Sequence, residues 1–538
     1  MQLLGLGAML LAQLGVSAAT FTLSEVQAQI EAYQEQNGTH VAPFDPQFGC
    51  TLACGFLAFS RPGKLSYPNS LAYEFEESRY WSQQQAFIRP ACRFTPGAAA
   101  DVSLAVLTSR VTQCKFAVKS GGHAAFAGAS NIEGGLTLDL RNLNQVVVSA
   151  DKKQTSVGAG NVWYDVYTKL QPMGLTVVGG RVSAIGVGGL TLGGGISFFS
   201  NRYGWSCDNV NNFQVVFADG SIRHVNPRAY PDLYWALRGG GNNFGIVTRF
   251  DLATYPQGDM WAGSQAFLLT NETATAINNA FYHLAINSPQ DPYAQIIIAY
   301  AYVQSQGVYV IASDLQYGKP TPNPAILNNF TSIKGPVADT LRVTNLTGLT
   351  LEFNSSNPGG FRCVFAYCLT CNTATNNVLR QTYWTLTTGN DAGLMSEMVA
   401  IYQDEVEKIK DAPGIVPSVI FQPISTDMTK LMSKNGGNPL GLAGQGPLNL
   451  INIDISWSNE ADDVRIITAA QNMATRFAAA AKAKGLDHPY LYQNYAALQQ
   501  DVFSSYGEVN LARLKSIQAK YDPTKAWQKL QPGYFKLG

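Results

Sequence analysis

Three glycine clusters in the first half of the chain constrain it more than any other feature. They are Ser120-Gly121-Gly122-His123, then Gly186-Val187-Gly188-Gly189 with Gly193-Gly194-Gly195, and Gly239-Gly240-Gly241. Clustered glycines let the backbone approach a ligand closely and turn its N–H groups toward an anion. Any one cluster alone reads equally well as a turn or a β-bulge. Three of them, two following apolar strands, point to a dinucleotide and its diphosphate. A Rossmann domain is the first competitor, because Gly186-Val187-Gly188 opens like G-x-G-x-x-G. The residues that follow, Leu190, Thr191 and Leu192, are not expected to open a helix. No acidic residue stands at the ribose-reading spacing either; the nearest, Asp208, follows Cys207 in a turn-like stretch. Another fold is therefore expected to hold the dinucleotide.

The rest of the chain sets the context. Its 538 residues allow two to four domains, and a hydrophobic content of 46% fits a globular protein. The 37 basic and 37 acidic residues cancel, which leaves no broad electrostatic footprint for nucleic acid or an anionic membrane. The five histidines (His40, His123, His224, His283, His488) are scattered without metal-ligand spacing, so no metal is expected. No G-x-S-x-G elbow supports a serine hydrolase.

The N-terminus reads as a signal peptide. Leu3 to Val16 is apolar, and Ser17, Ala18 and Ala19 supply small residues for cleavage, although no Lys or Arg precedes the run. A membrane anchor is the alternative, but the run is shorter than the ~20 residues needed to span. The expected mature chain starts near Thr20 and is secreted. Sequons at Asn37, Asn271, Asn329, Asn345 and Asn354 agree with export, and four of them suggest surface loops between 271 and 354. Eight cysteines (Cys50, Cys54, Cys92, Cys114, Cys207, Cys363, Cys368, Cys371) permit disulfides. The C-x-x-C at Cys368 and Cys371 lacks a second ligand pair, so it is assigned to loop disulfides rather than zinc.

Periodicity predicts helices over Leu23 to Gln36, Asp101 to Val111, Val162 to Leu170 and Pro231 to Leu237. A Pro- and Gly-rich stretch carries Cys50 and Cys54. Strands are expected at Phe116 to Val118, Leu136 to Leu140 and Gly245 to Tyr255, with hairpins at 146–157 and 213–225. After Pro256 the composition shifts to a second α+β domain. Its expected elements are the strands Gln295 to Val303 and Leu450 to Trp457, and the helices Asn377 to Trp384, Met395 to Ile409 and Ala461 to Ala483. Tyr300 and Tyr302 share one strand face; they either stack on a ligand or pack as core aromatics.

Together these motifs resemble a known family. Lys119 to His123, Gly186 to Gly195 and Arg238-Gly239-Gly240-Gly241-Asn242-Asn243-Phe244-Gly245 look like the PCMH-type FAD-binding domain of the vanillyl-alcohol oxidase superfamily. The tail is similar to that of the berberine-bridge-enzyme group. It carries Tyr492-Gln493-Asn494-Tyr495, Tyr506-Gly507, Asn510, Arg513-Leu514, Tyr521-Asp522-Pro523 and Gln531-Pro532-Gly533. The resemblance implies an α+β fold: a two-subdomain FAD-binding domain plus an antiparallel-sheet substrate domain with helices. The implied boundaries are 1–19 for the signal, 20–83 for an N-terminal segment, 84–258 for the FAD domain, 259–487 for the substrate domain, and 488–538 for a tail returning to the FAD domain. It also implies a Cys54–Cys92 disulfide.

The resemblance places FAD on a single covalent bond from His123. Val182 stands where many relatives have a second attachment cysteine, so a bicovalent flavin is not expected. Cofactor contacts are implied for Ser120, Gly121, Gly122, Gly128, Val187, Gly188, Gly189, Thr191, Gly193, Gly194, Gly195, Ser197, Tyr203, Gly245, Ile246, Val247 and Asn494. Ile185 lies where relatives tune oxygen access. The implied activity is an oxidase: substrate hydride passes to flavin, a base takes the proton, and oxygen becomes hydrogen peroxide. Tyr495 is assigned as base, Tyr492 as a neighbour with a different role, and Asp454 as candidate proton acceptor; a structural hydrogen bond is the alternative for Tyr495 and Asp454. The implied partners are a small-molecule substrate (sugar, alcohol or secondary metabolite) and oxygen, with a monomer expected and no membrane or nucleic acid. A secreted flavin-containing binding protein without turnover is the rival reading.

Overall fold

The computed structural model describes residues 21–37, 46–355 and 379–538. The proposed signal and Cys363, Cys368 and Cys371 lie outside the described residues. Three sheets organise the rest. The first has four strands in the order Leu65–Ser66, Cys92–Phe94, Leu136–Asp139, Phe116–Lys119, and its last three strands run parallel. The helix Ala99–Thr112 joins Cys92–Phe94 to Phe116–Lys119. The second sheet is antiparallel and centred on Ile246–Pro256, which pairs with Gln154–Gly158, Val210–Val216 and Leu175–Val177. The third has nine antiparallel strands. Its middle runs Val308–Tyr317, Ala294–Val303, Val416–Ile424, Leu448–Trp457, Arg380–Gly389. Helices Asn271–Asn287, Ala392–Glu407 and Asp463–Ala483 pack with this sheet around a shared core.

Side-chain alternation in the third sheet decides what faces the helices. Along Ala294–Val303, Ile296, Ile298, Tyr300 and Tyr302 are buried in the helix-side core, while Ile297, Ala299 and Ala301 line a cavity on the other face. Tyr300 and Tyr302 are therefore core aromatics, and the Tyr300 hydroxyl donates to Asn278 Oδ1 at 2.6 Å.

Several local expectations change. Residues 380–384 are not helical: Arg380–Gly389 is a central strand paired along its whole length with Leu448–Trp457. Its Thr382, Tyr383, Trp384 and Thr385 are β-branched or aromatic, and pairing with Leu448–Trp457 overrides the helical spacing. The stretch around Cys50 and Cys54 is a helix, Pro46–Ser60, pinned by the disulfides Cys50–Cys114 and Cys54–Cys92. The second of these is the pair implied by the resemblance. Cys207 is free and fully buried. The 271–354 region is mostly regular structure rather than loops; Asn271 opens a helix, and Asn345 Oδ1 accepts from the Gly348 N–H. No helix among the described residues is long and apolar enough to cross a membrane.

The tail returns to the first two sheets. Trp527, Leu530, Phe535 and Leu537 are buried in their core, and the Phe116 N–H donates to the Leu530 carbonyl at 2.7 Å. Beneath the first glycine loop lies a buried charge cluster. Arg93 pairs with Glu77 at 2.5 Å and with Asp139 at 2.7 Å, and Lys119 reaches Asp139 at 3.1 Å. Arg93 is the shared counter-charge of two carboxylates that are fully buried. Removing it leaves Glu77 without its counter-charge and Asp139 with Lys119 alone, so Arg93→Ala should cost about 3–5 kcal/mol of stability. Urea unfolding of the variant beside wild type measures this.

Candidate active site

A cavity of about 460 Å³ lies between the glycine loops and the open face of the third sheet. The loop after Phe116–Lys119 forms one wall. Gly121 and Gly186 meet backbone to backbone there. A Cβ on Gly121 would sit 2.5 Å from the Gly186 nitrogen, and one on Gly186 would sit 2.3 Å from the Gly121 nitrogen. Ser120 fastens the contact: its hydroxyl donates to the Ala159 carbonyl at 2.6 Å and accepts from the Gly188 N–H at 3.1 Å. Ser120 lines the cavity, yet its hydroxyl is already used within the protein.

His123 also lines the cavity and stacks on Trp81, with ring centroids 4.4 Å apart and planes 10° from parallel. Burial pushes the imidazole down to about 4, so it is neutral near pH 7. Its Nε2 is buried without a hydrogen-bond partner among the described residues.

The expected cofactor contacts divide into two groups. Ser120, Gly121, Gly122, His123, Gly188, Gly189, Gly245, Ile246, Val247 and Asn494 line the cavity. Gly128, Val187, Thr191, Gly193, Gly194, Gly195, Ser197 and Tyr203 do not. Val187–Leu192 forms a short helix, contrary to expectation, and this turns Val187 and Thr191 into the core. Thr191 Oγ1 meets Ser206 Oγ at 3.3 Å, while the Gly194 and Gly195 carbonyls accept from the Cys207 and Ser206 N–H groups. Gly193 packs on the Asn494 amide and Gly128 against Gly533 of the tail. The Ser197 N–H donates to Ser200 Oγ, and Tyr203 stacks on Tyr255 at 3.7 Å. These residues brace the loops from behind.

On the opposite wall the tail contributes Gln493–Tyr495, a 3₁₀ turn rather than a strand. The turn sets the rings of Tyr492 and Tyr495 edge to face, 4.8 Å apart. Tyr492 is buried, and its hydroxyl oxygen accepts from the Ile196 N–H at 3.1 Å and from Asn494 Nδ2 at 3.0 Å. Burial pushes this phenol well up, and its bonds tie the tail to the second glycine cluster. Tyr495 faces the cavity. Its oxygen accepts from Arg181 Nη2 at 2.8 Å and from Gln422 Nε2 at 3.4 Å.

Asp454 lines the same cavity from Leu448–Trp457, paired in register with Tyr383. Burial pushes its carboxyl up to about 7. It makes no hydrogen bond to Tyr495, whose partners are Arg181 and Gln422 instead. A second carboxyl, Asp314, is pushed up to about 6, by burial first and by the Glu352 charge, against lowering contributions from Ser264 and Arg181. Sequence reasoning missed Arg181, Gln422, Asp314, Tyr383 and Trp81. A carboxylate inside the alternating strand Val308–Tyr317 was a readable signal for Asp314; the others reach the site through long-range contacts. Val182 and Ile185 both line the cavity, whereas Cys207 is sealed in the core.

This arrangement fits an extended dinucleotide. A Cβ on Gly189 would meet no protein atom within 4 Å. Both amide atoms of Gln493 and the Gln531 oxygen are buried and unpaired on the cavity wall. Gly121→Ala should disrupt the loop itself and lower thermal stability, because the new methyl meets backbone. Gly189→Ala should fold normally but hold FAD about tenfold or more weakly, because its methyl occupies cofactor space. Melting temperature together with FAD retention on gel filtration, the latter in a His123→Ala background where contacts alone hold the flavin, separates the two effects.

Comparison with known proteins agrees with this geometry. Residues 90–226 match the FAD binding domain family. The FAD-dependent monooxygenase tpcD of Cochliobolus heterostrophus is 36% identical over 91% of this chain and 93% of its own. Two solved structures share the fold. The 6-hydroxy-D-nicotine oxidase of Arthrobacter nicotinovorans has a TM-score of 0.70 at 19% identity, over 86% of this chain and 96% of that one. The glucooligosaccharide oxidase of Acremonium strictum, described with a 6-S-cysteinyl, 8α-N1-histidyl FAD, has a TM-score of 0.69 at 19% identity, over 90% and 98%. The chain belongs to the family of FAD-linked oxidoreductases that includes this fungal FAD-dependent monooxygenase, and it shares its fold with the solved FAD-linked oxidases.

Proposed function

We propose that this oxidoreductase is an exported oxidase that carries FAD on one covalent bond from His123 and removes hydride from a substrate alcohol, sugar or secondary metabolite. The observation that carries the reading is Tyr495, a cavity-facing phenol held by Arg181 and Gln422 opposite the glycine loops. Bound in the cavity, FAD would supply the electron acceptor and pass the electrons on to oxygen. The chain's own residues manage the proton. Arg181 donates to the Tyr495 oxygen, which leaves the phenol's proton directed elsewhere and gives a cation to balance negative charge if that proton leaves. Tyr495 gives its own proton up to an ionised Asp454 in the same cavity, and the phenolate left behind takes the substrate O–H or N–H proton. The apolar run Leu3 to Val16, the five sequons and the two disulfides support export.

Covalent attachment is supported by the neutral His123 imidazole with its buried, unpaired Nε2 on the cavity wall, and its being single by Val182 in the place of a second attachment cysteine. Acid precipitation should leave yellow colour in the pellet, and the flavin peptide should map to His123. A colourless pellet with free FAD in the supernatant removes this part of the reading. His123→Ala should retain some FAD, since the loops remain, and turn over more slowly.

Tyr495→Phe should slow flavin reduction by about 10²–10⁴-fold, the usual worth of a general base, with FAD still attached. If Asp454 must be ionised to accept a proton, activity rises with pH through about 7, and Asp454→Asn abolishes that rise. Stopped-flow reduction rates across pH check both; a wild-type rate in Tyr495→Phe moves the base elsewhere.

A monooxygenase is the second reading, favoured by the name of the relative from Cochliobolus heterostrophus. Turnover under ¹⁸O₂ with a panel of sugars, alcohols and phenolics decides between them. An oxidase releases labelled peroxide and no labelled product, whereas a monooxygenase places ¹⁸O in the product.

A further inference from the structure

Arg181 is the one cationic side chain on the cavity wall among the described residues, His123 being neutral. Its environment differs from that of the other enclosed arginines. Arg93 pairs with Glu77 and Asp139, and Arg238 pairs with Asp208 at 2.7 Å. Among the described residues Arg181 has no carboxylate within ion-pair distance. Its Nη2 spends its hydrogens on two neutral oxygens, Gln422 Oε1 at 2.5 Å and the Tyr495 hydroxyl at 2.8 Å. A guanidinium has five N–H donors, and the described residues give Nε and Nη1 no acceptor. A half-buried cation without a counter-ion is costly, and an anion arriving with a ligand relieves that cost. Asp314 and Asp454, pushed up to about 6 and 7, line the same cavity, but neither makes an ion pair with Arg181.

The floor beside Arg181 has the opposite chemistry. Ile297, Ala299, Ala301, Ala312, Val416 and Ile420 line the cavity from three adjacent strands. The alanines are small and leave width above the sheet. This apolar strip runs between polar residues of the same sheet, Asp314 and Gln422 at the Arg181 end and Ser418, Asn452 and Asp454 along the other side.

We propose that Arg181 is the substrate-recognition residue, and that the substrate has an apolar body carrying one anionic oxygen, as in a carboxylate, enolate or phenolate. This rests on the reading of the cavity as the oxidoreductase's substrate site. The anionic oxygen would take the free guanidinium donors while the body lies along the alanine floor. That places the reacting carbon near Tyr495, which the same guanidinium holds.

Binding tests this without requiring turnover. The holoenzyme is titrated with octanoate, 1-octanol and xylobiose while the flavin absorbance-difference spectrum is followed. Octanoate should bind about 10- to 100-fold tighter than octanol, the range for a charge-assisted hydrogen bond, and xylobiose weakest. Arg181→Met should bring octanoate down to the octanol affinity and leave octanol unchanged. Arg181→Lys should keep part of the preference, and it decides the matter if the Met variant fails to fold. Equal affinities for octanoate and octanol, tightest binding of xylobiose, no perturbation by octanoate, or a preference that survives in Arg181→Met each overturns the proposal. A shifted flavin reduction potential in Arg181→Lys with unchanged octanoate binding overturns it too, by assigning Arg181 to the cofactor. A holoenzyme that prefers octanoate yet releases no peroxide from any substrate keeps this recognition and removes the oxidase reading.

Discussion

The backbone contact between Gly121 and Gly186 is the constraint on which the site depends. Two loops from different sheets touch there at a distance that no side chain tolerates, and Ser120 bonds across the junction. The contact fixes where the first loop leaves the strand Phe116–Lys119 and where the helix Val187–Leu192 begins. His123, three residues beyond Ser120, is thereby set on the cavity wall against Trp81. The buried cluster of Arg93, Glu77, Asp139 and Lys119 holds the same loop from below. Strong charges are buried here at a desolvation cost, and the return is a rigid origin for the loop.

The third sheet works by alternation. One face of each central strand is committed to the helices, so the residues between those core positions are free to build the cavity. That parity places Ala299 and Ala301 over the site and Tyr300 in the core. It also brings Asp314 and Asp454 into one enclosed space, where burial moves both carboxyls toward neutrality. The tail closes the remaining side. The Tyr492 hydroxyl is spent on holding it to the second glycine cluster, whereas the Tyr495 hydroxyl meets Arg181 and Gln422 on the cavity wall.

The division of labour within the second glycine cluster has a physical cause. A short helix turns its residues around an axis, so Gly188 and Gly189 face the cavity while Val187 and Thr191 face the core. The three glycines after it are needed for close packing against Trp205, Ser206, Leu190 and Asn494, not for open space. Glycine marks both uses with the same letter, and only the surroundings tell them apart.

The sequence by itself determined the order of the loops, the histidine at the end of the first loop, and the tyrosine pair in the tail. These are local, since each motif needs only its immediate neighbours to be read. The strand Leu448–Trp457 and its Asp454 were legible for the same reason. The tertiary structure decided what those residues do to one another. Tyr495 meets Arg181 across 314 positions and Gln422 across 73. Strand register, with the return of the tail, sets these pairings, and no periodicity along the chain encodes them. The helix expected over Asn377 to Trp384 failed on the same ground where the structure describes it: pairing of 380–384 with the strand Leu448–Trp457 outweighed local spacing.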